Sequence, residues 1–407
     1  MAKVCWYFHL HQPFRLAAQD VFSLGKNHEY FSADNAVIFQ KVVKKSYLPM
    51  LTLLLELCQA HPQFVCALSL TGVFLEQASE YAPEVLVLLQ QLVATGQVEL
   101  LAETYHHTLA SLYSTQEFNV QVHHHLQLLD QLFAYTPTVF RNTELIYQNE
   151  IGSMVAQLGF IGLLTEAVPR YLDGREKTRL YRSVGDEALP LLLKQAELSD
   201  DIAFRFSDKQ WSQYPLTAQT YLEWLDNYRD DELINLFMDF ETFGEHQWAD
   251  TGIFSFFQSL NEMLIANKAA QLVTPSMVLT PLTKKQRCDL PVYDVPEPIS
   301  WADVDRDITA WIENSMQQDA LKQLYALEKI ITTLPRSSSA KGSVTAKHIE
   351  LLSLWRNLQT SDHFYYMCTK WAADGDVHAY FSPYQDPYEA YRNFCIALRD
   401  LSDRVKQ

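Results

Sequence analysis

Short apolar runs that end in polar or charged clusters, with stretches of helical period between them, constrain this chain's fold more than any other feature. Lys3–Leu10, Phe64–Leu70, Gln97–Ala102, Val139–Asn142 and Ile161–Thr165 read as strands, with later ones at Leu189–Lys194 and Leu233–Asp239. Between them, apolar residues recur at three and four over Ala36–Cys58, Ala82–Thr95 (closed by Gly96), Gln116–Phe133 and Glu150–Leu158, which predicts helices. The junctions include HLHQP, ETYHH, RNTELIY and MDFETFGEH. Polar groups gathered at strand ends are expected when an α/β barrel carries its site at the carboxyl ends of its strands.

Near Thr280 the rhythm changes. Residues 281–307 hold four prolines without a clear period and read as a connector crossing the surface. Beyond it, Ile308–Thr333 shows one long helical pattern, followed by helices at Lys347–Leu358 and Tyr388–Ser402. The polar RSSSAKGSVTAK segment between the first two is the candidate mobile loop. The expected organisation is a barrel domain over 1–285 and a mainly helical domain over 286–407.

Composition narrows the function. A formal net charge of -17 excludes the basic surface that nucleic-acid binding requires, and suits a neutral substrate such as a polysaccharide. Aromatic residues make up 13% of the chain, a supply of faces for stacking on sugar rings, though cores also consume them. The six cysteines form no CxxC pair and no metal-like spacing, so neither a disulfide framework nor a zinc ribbon is expected. MAKVCWYFHLHQP has neither the basic nor the long apolar segment of a signal peptide, and no run reaches ~18 apolar residues. The expectation is a cytoplasmic protein without a membrane span.

Glu144 ends the VFRNTE run, where an inward carboxylate would reach a barrel mouth. Asp239 and Glu241 are expected to share one face of the LFMDFETF strand, since side chains alternate with period two. His9 and His11 share a strand face with Tyr7, and one of His106 and His107 is expected to face the pocket. The run His123–His124–His125 falls mid-helix, points three ways and reads as a surface feature.

These residues carry a resemblance. His11–Gln12–Pro13, Gly96–Gln97–Val98–Glu99, NTELIY around Glu144, and Asp239–Phe240–Glu241–Thr242–Phe243–Gly244 resemble the ordered motifs of glycoside hydrolase family 57. QTSDHFYYM, with Asp362 and His363, matches a weaker late motif, and SWADVDRDITAWIEN resembles the family's amylase-like branch. Two departures stand out: NTELIY lacks an opening tryptophan, and Phe240 replaces a small residue. The resemblance implies an incomplete (β/α)7 TIM-like barrel followed by a helical domain that helps cover the site. It implies a retaining hydrolase acting on α-1,4-glucans, with Glu144 as nucleophile and Asp239 as acid/base, and with no metal and no cofactor. Substrate-binding candidates are His9, His11, Glu99, Glu103, His107, Glu241, Trp301, Asp362 and His363. The motif favours Glu99 and the strand-end argument favours Glu103. Trp301, Asp362 and His363 are expected from the second domain, and Asp239 is expected to hold a raised pKa as the proton donor.

The partner implied is an α-glucan or maltooligosaccharide. The rival activities within the family are 4-α-glucanotransferase and branching enzyme. Outside it, His9, His11, His107 and Asp239 offer the ligands of a metal-dependent carbohydrate deacetylase. A non-catalytic glucan-binding protein is the third class. Nothing in the sequence speaks to oligomeric state.

Overall fold

The computed structural model of the chain describes residues 2–25, 29–185, 188–268, 270–333, 343–370 and 382–406. Strands form at β1 (Ala2–Leu10), β2 (Cys66–Leu70), β3 (Val98–Leu101), β4 (Val139–Arg141), β5 (Gly162–Thr165), β6 (Pro190–Leu193) and β7 (Ile234–Asp239). Each falls within or almost wholly within a run read as a strand. All seven pair in parallel, in the order β3-β2-β1-β7 and β4-β5-β6. Ala102 joins the two groups, donating its N–H to Val139 at 3.0 Å and accepting from Arg141 at 2.8 Å.

Among the described residues, β6 and β7 share no ladder. Gln195 N–H donates to the Asn235 carbonyl at 2.8 Å, and the Asn235 side chain donates to the Leu193 carbonyl at 2.9 Å. The sheet is therefore a curled, incomplete (β/α)7 barrel. Two short strands attach to it, Tyr181–Arg182 antiparallel on β6 and Ala270–Leu272 parallel beside the start of β1.

Both faces of a parallel sheet are covered, so its strands read as continuous apolar runs, yet the pleat still divides them. Val4, Trp6, Phe8, Leu68, Leu100, Leu236 and Met238 pack outward with the helices. Cys5, Tyr7, Ala67, Leu101, Val139, Leu164, Leu192 and Phe237 fill the interior. The same alternation turns the last inward position of several strands into a polar one, and that layer is the candidate site.

The expected helices are present with informative changes. Ala36–Cys58 is two helices, Asp34–Val42 and Leu48–Ala60, joined by a π-helical turn over Val43–Tyr47. Gly72–Tyr81 is a helix that the sequence reading did not mark. The single long helix expected over Ile308–Thr333 is broken into Thr309–Ile312, Ser315–Ala326 and Glu328–Thr333. Asn314 causes the first break: its side chain accepts from Gln317 N–H at 3.0 Å while Gln317 accepts from Asn314 N–H at 3.1 Å. That reciprocal cap starts a new helix at Ser315.

The residues pack as two units. One takes Met1–Gln12, Ile38–Thr104 and Val122–Trp301; the other takes Pro13–Val37, Tyr105–Gln121 and Ala302–Gln407. The division is thus interleaved rather than a single cut near 285. The second unit is mainly helical, ending in Ser343–Asn357, Ser361–Tyr365 and Pro387–Val405. Most of the RSSSAKGSVTAK segment (336–342) lies outside the described residues. Among the described residues, no helix is long and apolar enough to cross a membrane.

The connector over 281–307 runs over the surface as expected through residue 290, and then turns inward. Ile299 and Tyr147 exchange backbone hydrogen bonds at 2.9 and 3.0 Å, Asn149 N–H donates to Val295, and Trp301 N–H donates to the Glu144 carbonyl. Tyr293, Val295 and Ile299 are fully buried. Only Lys284–Asp289 is helical; beyond it Pro291, Pro296 and Pro298 leave extended chain whose backbone pairs with Arg182 and with the loop after β4.

Candidate active site

In the first unit, β1 and β7 lie in register so that His9 stands directly beside Asp239. His9 is buried; its Nδ1 lies 3.5 Å from Asp239 Oδ1 and its Nε2 3.3 Å from Glu103 Oε2. A neutral imidazole has one N–H, so it donates to only one of two carboxylates. The second contact needs another proton, on the ring or on the carboxyl. His9 thus bridges two carboxylates, Asp239 and Glu103. His11 stacks on His9 with ring centroids 5.9 Å apart, and its Nδ1 meets Thr71 Oγ1 at 3.0 Å.

Asp239 differs from expectation. Burial pushes its carboxyl up, but the hydrogen bond and charge of His9, with His246 and Arg141, outweigh this and hold it below the ordinary range. Its side chain keeps 44% exposure. The raised pKa expected for a proton donor is therefore not found, because His9, His246 and Arg141 come from segments whose proximity to Asp239 the sequence does not reveal.

Glu103 and Glu99 are separated by the strand that bears them. Glu103, fully buried just beyond β3, meets His9, and its backbone N–H donates to His125 Nδ1 at 3.2 Å. His125 Nε2 then donates to the Leu70 carbonyl at 2.7 Å, which fixes a neutral tautomer; burial lowers its pKa further. His125 is completely buried, so the surface reading of the histidine run holds for His123 and fails for His125. Glu99, near the start of β3, accepts from both the N–H and hydroxyl of Ser276 at 2.9 and 2.8 Å. It caps the Pro275–Leu279 helix, and burial raises its pKa.

The loop after β4 presents Glu144 from a strained turn. Thr143–Leu145 is one 3-10 turn in which Glu144 (φ 55°, ψ 26°) and Leu145 (φ 52°) are left-handed. For residues with a Cβ this costs ~1–3 kcal/mol each and persists where surroundings over-determine it. Trp301 supplies that constraint: its indole N–H donates to Glu144 Oε2 at 2.7 Å, and its backbone N–H to the Glu144 carbonyl at 3.2 Å. Trp301 belongs to the first unit and not, as expected, to the second domain. Two cations lie over its ring, Arg141 at 5.2 Å and Lys194 at 5.3 Å from the centroid.

Glu241 does not share a strand face with Asp239. β7 ends at Asp239, and Phe240–Thr242 is a 3-10 turn that breaks the period of two. Glu241 is buried against the Tyr47 hydroxyl, with which it hydrogen-bonds. Burial first, then the Asp239 charge, pushes its pKa up to about 8. Gly244 closes this turn with φ +106°, where an added Cβ would lie 1.9 Å from the Lys45 carbonyl oxygen.

The second unit holds the other candidates. His106 Nδ1 donates to Gln121 Oε1 at 2.9 Å, and Gln121 donates in turn to Glu117, which pairs with Arg356 at 2.9 Å. That network is structural in character. His107 is fully buried in a left-handed conformation (φ 54°), and its carbonyl accepts from Ser361 N–H at 2.9 Å. This places His107 beside the Ser361–Tyr365 helix that bears Asp362 and His363. Burial drives the His363 pKa down to about 4, and its Nε2 donates to the Asn357 carbonyl at 3.2 Å. It is a neutral core histidine with its ring on Phe394.

Arg141, Lys194 and Tyr47 were not singled out from the sequence. Arg141 was within reach of pattern reasoning, since it follows Val139 at spacing two on a strand whose inward face leads to Glu144. Lys194 and Tyr47 depend on packing between distant segments and left no local signal.

Comparison with known proteins agrees with this architecture. The family model for glycosyl hydrolase family 57 matches residues 5–291. The "Putative alpha-amylase" of Methanocaldococcus jannaschii is 39% identical over 408 residues, covering 99% of this chain and 85% of the relative. The branching enzyme of Thermococcus kodakaraensis shares the fold with a TM-score of 0.71 at 13% identity, over 99% of this chain and 90% of that one. The alpha-amylase AmyC of Thermotoga maritima gives 0.66 at 12% identity, over 100% and 95%. For the 4-alpha-glucanotransferase of Thermococcus litoralis the score is 0.61 at 16% identity over 89% of this chain, which spans only 56% of that protein. With a family model spanning the barrel and a relative matched along nearly its full length, this chain belongs to glycosyl hydrolase family 57.

Proposed function

We propose that the protein is a retaining hydrolase of α-1,4-glucans, with Glu144 as nucleophile and Asp239 as general acid/base. The observation that carries this reading is the unlike setting of two carboxylates at strand ends of one barrel. Glu144 is gripped by an N–H donor on a strained turn, while Asp239 lies 3.5 Å from the His9 ring at the end of the neighbouring strand. The similarity to proteins named alpha-amylase, branching enzyme and 4-alpha-glucanotransferase supports the substrate class.

In the first step, a Glu144 oxygen bonds to the anomeric carbon while the glycosidic C–O bond breaks, and the departing oxygen takes a proton from Asp239. The lowered pKa of Asp239 is compatible with this. A bound sugar chain would cover its exposed face, which favours the neutral, proton-donating carboxyl. Glu103 holds the far side of His9. In the second step, ionised Asp239 accepts a proton from water as the water oxygen displaces Glu144. Glu241, neutral at pH 7, spares Asp239 an adjacent negative charge. His11, in the same layer, is a candidate for hydroxyl binding.

Incubation with maltoheptaose tests the proposal. Shorter products alone, with the α-anomer released first, are expected. Longer products would reassign the enzyme to transfer, branch points made from amylose would reassign it to branching, and initial release of the β-anomer would sink the retaining mechanism.

A further inference from the structure

Arg141 is the last inward residue of β4, paired in register with the interior residue Leu164. Its guanidinium is completely buried, and none of its three nitrogens has a hydrogen-bond partner among the described residues. Its ion partner is Glu103, at 3.9 Å, and its guanidinium carbon lies over the Trp301 ring, 5.2 Å from the centroid. A buried guanidinium with five unspent N–H groups loses several kcal/mol of solvation, which one contact of that length does not recover. A residue kept for stability alone would be better replaced by an apolar side chain of similar size.

What surrounds Arg141 explains its presence. Tyr7 faces it from β1, Glu103 from beyond β3, Glu144 from its own loop, and Asp239 from β7. His9 lies between Glu103 and Asp239, and Lys194 stands over the same tryptophan. The Lys194 charge is already engaged by Asp200 at 2.9 Å and Glu166 at 3.9 Å. Three carboxylates thus converge on a region where Arg141 is the cation not committed to a hydrogen bond.

We propose that Arg141 is the fixed cation of this site, a positioning residue that keeps Glu144 ionised and seats the Trp301 indole against it. This rests on Glu144 being the nucleophile. Being out of reach of solvent, Arg141 acts through the electric field and through the tryptophan, without touching substrate. Its charge does not titrate in the working range of pH, so the field it sets up is constant.

Because the Trp301 N–H is bonded to Glu144, the Trp301-dependent fluorescence reports the ionisation of that carboxylate. It is obtained as the difference between the protein and Trp301→Phe across pH. In Arg141→Gln the midpoint should rise by about one pH unit, since a nearby cation lowers a carboxylate pKa by roughly that much or more. The acid limb of kcat/KM on maltoheptaose should move with it, while KM stays within about threefold, as expected of a group that does not bind substrate. Arg141→Lys, which keeps the charge, should leave the midpoint within about 0.3 unit, and Arg141→Met serves where the Gln variant does not fold. An unmoved midpoint in a folded neutral variant, or a Lys variant shifted as far as Gln, overturns the assignment. Absence of maltoheptaose turnover in the unmodified protein would overturn the glucan reading instead, and the fluorescence would still decide the role of Arg141.

Discussion

Trp301 holds Glu144 at both ends, giving its indole N–H to the carboxylate at 2.7 Å and its backbone N–H to the carbonyl at 3.2 Å. The two residues are 157 positions apart. One contact fixes the carboxylate oxygen; the other fixes the left-handed backbone that aims it. A strained turn whose strain is maintained from a distant segment is what a preorganised nucleophile requires.

Trp301→Phe preserves the ring and removes the donor. A hydrogen bond to a charged group contributes ~1.5–3 kcal/mol, so kcat on maltooligosaccharides should fall by roughly 10–100-fold. KM should change little, because the lost contact is to the protein's own carboxylate. Steady-state kinetics with a retained unfolding midpoint would check this; an unchanged kcat would show that Glu144 needs no such support.

The roles of the two carboxylates are separable by chemical rescue. In Glu144→Ala, added azide can occupy the vacated position and attack the anomeric carbon once, giving a β-glycosyl azide from an α-glucan. In Asp239→Ala, azide intercepts the covalent intermediate and gives the α-glycosyl azide. A substrate with a good leaving group is needed for the second. Product stereochemistry read by NMR decides the matter, and the reverse pairing would exchange the two assignments.

Gly244→Ala is expected to be among the most damaging single changes in the barrel. An alanine there would need φ near +106° and would set its Cβ 1.9 Å from the Lys45 carbonyl oxygen in the π-helical turn. That turn also carries Tyr47, the partner of Glu241. Loss of at least ~3 kcal/mol follows from combined overlap and backbone strain, measured as a shift in urea midpoint at constant slope. A variant as stable as the parent would show that the two turns can separate.

The barrel was legible because parallel strands are buried on both faces and announce themselves as apolar runs, and β7 ends at the Asp239 the pattern picked out. The candidate layer was legible where one segment supplies it, as with His9 on β1 and His11 just beyond its end. It was not legible where the partner arrives through topology. His125 looked like surface because a helical triplet has no intrinsic direction, yet the Leu70 carbonyl and Glu103 N–H claim it. Trp301 looked like second-domain sequence because its segment is proline-rich, and only its backbone bonds to the β4 loop reveal where it belongs. The interleaved units have the same origin: Pro13–Val37 and Tyr105–Gln121 follow strand ends of the barrel but pack with the later helices. Charge signs could be read locally, but the balance that lowers Asp239 and raises Glu241 depends on burial and on neighbours from four different segments.

Glu241 makes a prediction about stability in which the sign can be worked out. Its folded pKa of about 8 lies above the unfolded value near 4.5, so the folded state binds the extra proton between those limits. Stability therefore falls as pH rises through that window and is level on either side, with respect to this group. The shift corresponds to a few kcal/mol, discounted for its coupling to Asp239; on the order of 3 kcal/mol is expected. Glu241→Gln keeps the shape and stays neutral. It should match the parent in urea unfolding at pH 4.5 and exceed it by about that amount at pH 8.5. If both proteins show the same pH dependence, Glu241 is ionised in the folded state, and the adjacent Asp239 works beside a second negative charge rather than a neutral neighbour.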